Sequence, residues 1–147
     1  VITAAPLWPN GDSSLLHLVR RAAQRSNAFW STTVTSGLSA VQYAILVVLA
    51  EMESCDQQTL GHRAGFDKAT GTYLIDRMSK SGLIATETDQ ANRRRKIVTM
   101  TDEGRKVMDG MVAQARETEA LMTAHLPAED IAQLKRLLSK LSEIQEG

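Results

Sequence analysis

The sequence lacks most of what would announce a specialised chemistry. A single cysteine, Cys55, among 147 residues excludes an internal disulfide framework and suits a reducing compartment. No apolar run exceeds Ala44–Ala50, far short of a membrane span. Near Val1 there is no charged stretch followed by an apolar one, so a cytoplasmic globular subunit is expected. Lys and Arg total 17, as do Asp and Glu, so no net charge points to a polyanionic partner. Aromatic residues make up 4%. His17, His62 and His125 fall on three separate predicted helices without ligand spacing, so no metal site is expected. There is no glycine-rich loop followed by lysine and no serine elbow, hence no catalytic residues and no cofactor; an enzyme is not expected.

What is present is a mainly α pattern. With 43% apolar and 23% charged residues, the chain is long enough for one folded subunit with a modest core. Val1–Gly11, holding Pro6 and Pro9, reads as an extended arm. A first helix is expected with Asp12 or Ser13 as N-cap and a stripe of Leu15, Leu18, Val19, Ala22, Ala23, Phe29 and Trp30. Leu16 widens that stripe enough for two packing partners. Ser39-Ala-Val-Gln42 is a capping box opening a second helix to about Glu53. Ser54-Cys55-Asp56 is expected to cap a third, ended by Gly65, and Asp67 a fourth, running to Ser81 and ended by Gly82. Leu83–Thr88 and Lys96–Met100 carry strand signals around a polar, basic tip. Thr101-Asp102 starts a long helix through Met122, and Pro127 suits the first turn of a last one. Ile131, Leu134, Leu138 and Leu141 form a heptad seam there.

The neutral total hides an asymmetry. Between Leu60 and Lys106 there are ten basic and six acidic residues; the rest of the chain has seven basic and eleven acidic. A helix, a tight turn, a second helix and then an arginine-tipped hairpin is the order of a winged helix–turn–helix. In the fourth helix, Gly71, Leu74, Ile75 and Met78 form the expected buried face, with Gly71 allowing close packing on the third helix near Gly61 and Ala64. The opposite face presents Thr72, Tyr73, Asp76, Arg77 and Lys80, with Thr70 beside it. Thr70 and Thr72 are short donors near the helix start, Arg77 suits bidentate contact with guanine, and Lys68 and Lys80 suit phosphate. Of Arg93, Arg94 and Arg95, one is expected in the minor groove, one on phosphate and one paired with Asp89.

Several of these stretches together resemble a known family. Leu38-Ser-Ala-Val-Gln-Tyr-Ala-Ile-Leu46, Leu60-Gly-His-Arg-Ala64, Asp67-Lys-Ala-Thr70, Ile75-Asp-Arg-Met-Ser-Lys-Ser-Gly-Leu83, Asp89-Gln-Ala-Asn-Arg-Arg94 and Val98-Thr-Met-Thr-Asp-Glu-Gly104 are similar to the MarR family of bacterial transcription regulators. The wing pattern followed by Thr-x-x-Gly is the most specific part. The resemblance implies a homodimeric winged helix–turn–helix protein on a palindromic operator, usually a repressor. Residues 1–36 would then be an arm and dimerisation helix, 37–104 the DNA-binding domain and 105–147 the C-terminal dimerisation helices. The sequence departs from the family at Asn92, where an acidic residue commonly precedes the wing arginines, leaving Asp89 as the expected partner.

Members of the family commonly release DNA when a small ligand, often an aromatic carboxylate, enters the cleft between the dimerisation helices and the winged domain. His17-Leu-Val-Arg-Arg21 resembles a branch whose effectors include nicotinate-type compounds. His17, Arg20 or Arg21 would hold the carboxylate, and Phe29, Trp30 and Tyr43 would stack on the ring. Two other readings stay open. One is redox control through Cys55, in a loop where Asp56 and Glu53 would raise the thiol pKa. The other is a winged helix serving protein contacts alone.

Overall fold

Helix starts in this chain are set by side chains that satisfy otherwise free N–H groups. The computed structural model describes residues 14–143. Helix α1 (Leu15–Thr33) is capped by Ser14, whose hydroxyl accepts from the His17 N–H at 3.2 Å. The expected caps Asp12 and Ser13, like the arm before them, lie outside the described residues. Helix α2 (Ala40–Met52) opens on the Ser39/Gln42 capping box, with both reciprocal bonds made. Asp56 caps α3 (Gln57–Ala64), Asp67 caps α4 (Lys68–Lys80) and Thr101 caps α5 (Asp102–Met122). Helix α6 (Ala128–Ser142) is the exception: Pro127 is its N-cap rather than part of its first turn, and supplies no side-chain bond.

The hairpin expected from the sequence is part of a three-stranded antiparallel sheet. Strand β3 (Lys96–Met100) lies between β2 (Ile84–Thr88) and a short β1 (Ser54–Asp56). The segment 54–56 is thus a strand as well as a cap, with Cys55 opposite Val98. Between α2 and β1 the chain turns at Glu53, the one non-glycine residue with positive φ (67°) among the described residues.

Beneath the sheet one core joins Ile45, Leu46 and Leu49 of α2 to Leu60 of α3, and Ile75 and Met78 of α4 to Ile84, Val98 and Met108. Helix α1 packs on α5. Neither α1 nor α6 buries a single residue, and Leu15, Leu16, Leu18, Leu134, Leu137, Leu138 and Leu141 remain exposed. No helix among the described residues is long and apolar enough to cross a membrane.

The Thr-x-x-Gly sequence has a concrete role. The Thr101 hydroxyl donates to the Gly82 carbonyl at 2.6 Å and accepts from the Gly104 N–H at 3.0 Å, while the Thr101 N–H donates to the Leu83 carbonyl at 3.1 Å. One residue therefore starts α5 and pins it to the corner between α4 and the hairpin. A Cβ at Gly104 would collide with the Leu83 carbonyl and press on the Met100 side chain. Gly104→Ala should cost about 1–3 kcal/mol despite alanine's better helix propensity, read as a lower urea midpoint.

The caps also carry a pH dependence. The Thr59 backbone N–H holds the Asp56 carboxyl below its ordinary value, helped by the Thr59 hydroxyl and Arg95 and opposed by burial. The Thr70 backbone N–H does the same for Asp67. A lowered carboxylate pKa gives stability that is complete well above the unfolded value and is lost as pH falls through the folded one. In urea titrations, Asp56→Asn/Asp67→Asn should therefore lose less stability than the parent as pH drops below about 4, since asparagine caps without ionising.

Candidate nucleic-acid interface

Helices α3 and α4 meet at a phenyl ring. Gly65 (φ 86°) ends α3 in the left-handed conformation, and Phe66 follows, its side chain folded back between Gly61 and Gly71. A Cβ at Gly71 would run into that ring, and one at Gly61 would come within 2.9 Å of it. The expected close approach near Gly61 is thus mediated by Phe66, a residue the sequence pattern left unassigned.

With Gly71, Ile75 and Met78 buried, the rest of α4 divides as the wheel requires. Thr70, Thr72, Tyr73, Asp76, Arg77 and Lys80 are exposed, and so is Lys68. Several are already engaged with each other. The Arg77 guanidinium donates to the Tyr73 hydroxyl at 2.8 Å, one turn back. Thr72 donates to the Lys68 carbonyl at 3.0 Å, and Lys80 pairs with Asp76 at 3.0 Å. Tyr73, 60% exposed, is one of the large apolar surfaces on this side of the molecule. The Tyr73–Arg77 pair presents a planar cation and a phenol together, chemistry that suits base edges.

The wing is the connection from Asp89 to Arg95. Its base is closed by the Asp89 N–H on the Arg95 carbonyl at 2.9 Å, and its tip by Asn92, whose N–H donates to Asp89 at 3.2 Å and whose carbonyl accepts from Arg95 at 2.9 Å. Asn92 also accepts the Arg94 N–H through its side chain, and Asp89 that of Ala91. This residue therefore shapes the turn without the charge of the acid commonly found there. Arg95 pairs with Asp56 at 2.9 Å and only more loosely, at 3.7 Å, with the expected Asp89. Arg93 and Arg94 are exposed and make no ion pair among the described residues. A cavity of about 610 Å³ separates wing from helices, lined on its cationic side by Lys68, Arg94, Arg95 and Lys96.

The six residues expected to hold an aromatic acid are not brought together. Trp30 and Tyr43 do meet, ring centroids 5.6 Å apart, and the Trp30 indole donates to the Leu38 carbonyl at 2.9 Å. Beside them a cavity of about 520 Å³ is lined by Asn27, Trp30, Val34, Leu38 and Gln42. Phe29 instead lies under the Arg25 guanidinium, 4.8 Å from its ring centre. Arg20 and His17 contact each other at 3.1 Å, and Arg21 is exposed. Along the helix axis the Arg20 and Trp30 backbones stand about 15 Å apart.

Cys55 is not in a loop: it is buried in β1. Its thiol pKa is pushed up first by burial and then by Asp56, with Arg63 opposing; Glu53 does not contribute. No group of three or more His, Cys, Asp or Glu among the described residues could hold a metal ion.

Known proteins share this arrangement. The MarR family profile matches residues 36–95, from just before α2 to the end of the wing. The chain is 28% identical over 132 residues to the HTH-type transcriptional repressor NicR of Pseudomonas putida, covering 89% of this chain and 84% of that one. Among solved structures it is similar to the PcaV transcriptional regulator of Streptomyces coelicolor in complex with its natural ligand, at 28% identity and a TM-score of 0.83. That match covers 95% of this chain and all of the other. It is likewise similar to Bordetella bronchiseptica BpsR, whose DNA binding is regulated by 6-hydroxynicotinic acid, at 30% identity and a TM-score of 0.80, covering 88% and 98%. These relatives are regulators of transcription rather than enzymes. With the winged helix–turn–helix in place, the family profile over residues 36–95 and relatives along nearly its whole length, the chain belongs to the MarR family.

Proposed function

We propose that this chain is a homodimeric, sequence-specific DNA-binding regulator, a repressor that leaves a palindromic operator when a small aromatic carboxylate binds. The observation that carries the reading is the pairing of two exposed cationic elements. Helix α4 bears Thr70, Thr72, Tyr73, Arg77 and Lys80, and the wing beside it bears Arg93 and Arg94, which form no ion pair among the described residues. Such an arrangement matches a helix in the major groove and an arginine in the neighbouring minor groove. Residues 37–104 are the DNA-binding unit in this reading. The stretches 1–36 and 105–147 are given to association, supported by the leucines that α1 and α6 leave exposed.

The effector class is supported by relatives: one is solved with its natural ligand and another is controlled by 6-hydroxynicotinic acid. Within the subunit the Trp30–Tyr43 pair and its adjoining cavity are the aromatic surface such a ligand would use. Redox release through Cys55 has less in its favour, because a buried thiol with a raised pKa forms little thiolate.

Four measurements test the reading. Selection of bound fragments from the source genome should return a two-fold symmetric site with half-sites about one helical turn apart. At that site Arg94→Gln should weaken binding and make the log–log salt dependence shallower by about one unit; no operator binding at all would leave a protein-contact module. Light scattering should give a dimer. Leu134→Glu/Leu138→Glu should yield monomers that bind about a hundredfold more weakly, through loss of the second half-site. A panel of aromatic carboxylates, 6-hydroxynicotinic acid and benzoate included, should contain at least one that raises the melting temperature and lowers operator affinity; a panel without effect would remove the effector part alone.

A further inference from the structure

The three wing arginines are not equivalent. Arg95 Nη2 donates to Asp56 Oδ2 at 2.9 Å. That carboxylate is also the N-cap of α3: its Oδ1 accepts the Thr59 N–H at 2.8 Å and its Oδ2 the Thr59 hydroxyl at 2.9 Å. Asp56 belongs besides to β1, opposite Ile97 of β3, just past the wing. Meanwhile the Arg95 carbonyl closes the wing base by accepting from Asp89. Backbone and side chain of Arg95 are therefore both held, one by the far leg of the wing and the other by the first residue of the helix–turn–helix. The Asp56 side chain is 16% exposed and that of Arg95 51%, so the contact is sheltered on its acidic side.

We propose that Arg95 is a positioning residue rather than a DNA ligand: through Asp56 it clamps the wing base to the start of α3, fixing where Arg93 and Arg94 stand relative to α4. This rests on the operator-binding reading above. Electrostatics favours the division of labour. Were Arg95 to leave Asp56 for a phosphate, it would strand a carboxylate beside the polyanion, whereas Arg93 and Arg94 have no such partner to abandon. A wing tied only at its two strand ends would pivot on the sheet. The third attachment, nearly forty residues away in sequence, sets its angle.

The test is a double-mutant cycle on operator affinity, read together with salt dependence. Arg95→Gln in the parent should weaken operator binding about three- to fivefold, the most that a half-exposed ion pair supports. In an Asp56→Asn background, where asparagine still caps α3, the same change should matter less than about twofold. The double variant Asp56→Asn/Arg95→Gln, which leaves net charge unchanged, should keep the parent's salt dependence, while Arg94→Gln makes it shallower by about one unit. Arg95→Lys should restore most of the affinity, and thermal melts of all variants should stay close to the parent's. An equal loss from Arg95→Gln in both backgrounds, with a shallower salt dependence in the double variant, would make Arg95 a direct DNA contact and overturn the proposal. Absence of operator binding by the parent would be a failure of the underlying reading instead.

Discussion

The phenyl ring of Phe66 lying against two glycines is the contact on which the rest of the winged helix–turn–helix depends. Because Gly61 and Gly71 offer no side chains, α3 and α4 share one ring as their spacer. The turn between them is short enough for α4 to cross α3 while pointing its polar face outward. A larger residue at either glycine would push α4 away, and with it Tyr73 and Arg77. Ile75 and Met78 then anchor the helix on Leu60 and the sheet. Presentation of the cationic face is thus a packing property first and an electrostatic one second.

The wing is governed by a different kind of constraint, polar and directional. At one end Thr101 ties the Gly82–Leu83 corner to α5; at the other Arg95 ties the wing base to α3. Between them the β1–β3–β2 sheet gives a stiff platform. Asn92 and Asp89 shape the tip through side-chain-to-backbone bonds, beside the ion pairs that Arg95 makes at the base. That leaves Arg93 and Arg94 outward with their charge intact.

Much of this was legible in the sequence wherever the cause is local. The caps at Ser39, Asp67 and Thr101 act over three residues, and the two faces of α4 follow from helical spacing alone. What escaped depends on residues far apart. Strand β1 is three residues long, too short for alternation to register, and exists because β3 lies some forty positions on. The Asp56–Arg95 pair and the placement of Phe66 are likewise invisible to periodicity. At the start of α1, Asp12, Ser13 and Ser14 are all capable caps, and pattern could not choose among them. The Trp30–Tyr43 contact joins two different helices, which spacing within either one cannot reveal.

A last consequence concerns the order in which the chain is made. The α1–α2 connection is held by α5, where the Gln114 side chain takes the Thr35 N–H at 3.0 Å and gives back a bond to its hydroxyl, across 79 positions. At about 5–20 residues per second, a ribosome would need several seconds to supply that partner after Thr35 emerges. During that interval α2, the helix–turn–helix and the sheet are synthesised, while α1 has no α5 to pack on. The winged unit is thus complete in the chain before the connection leading into it is tied down.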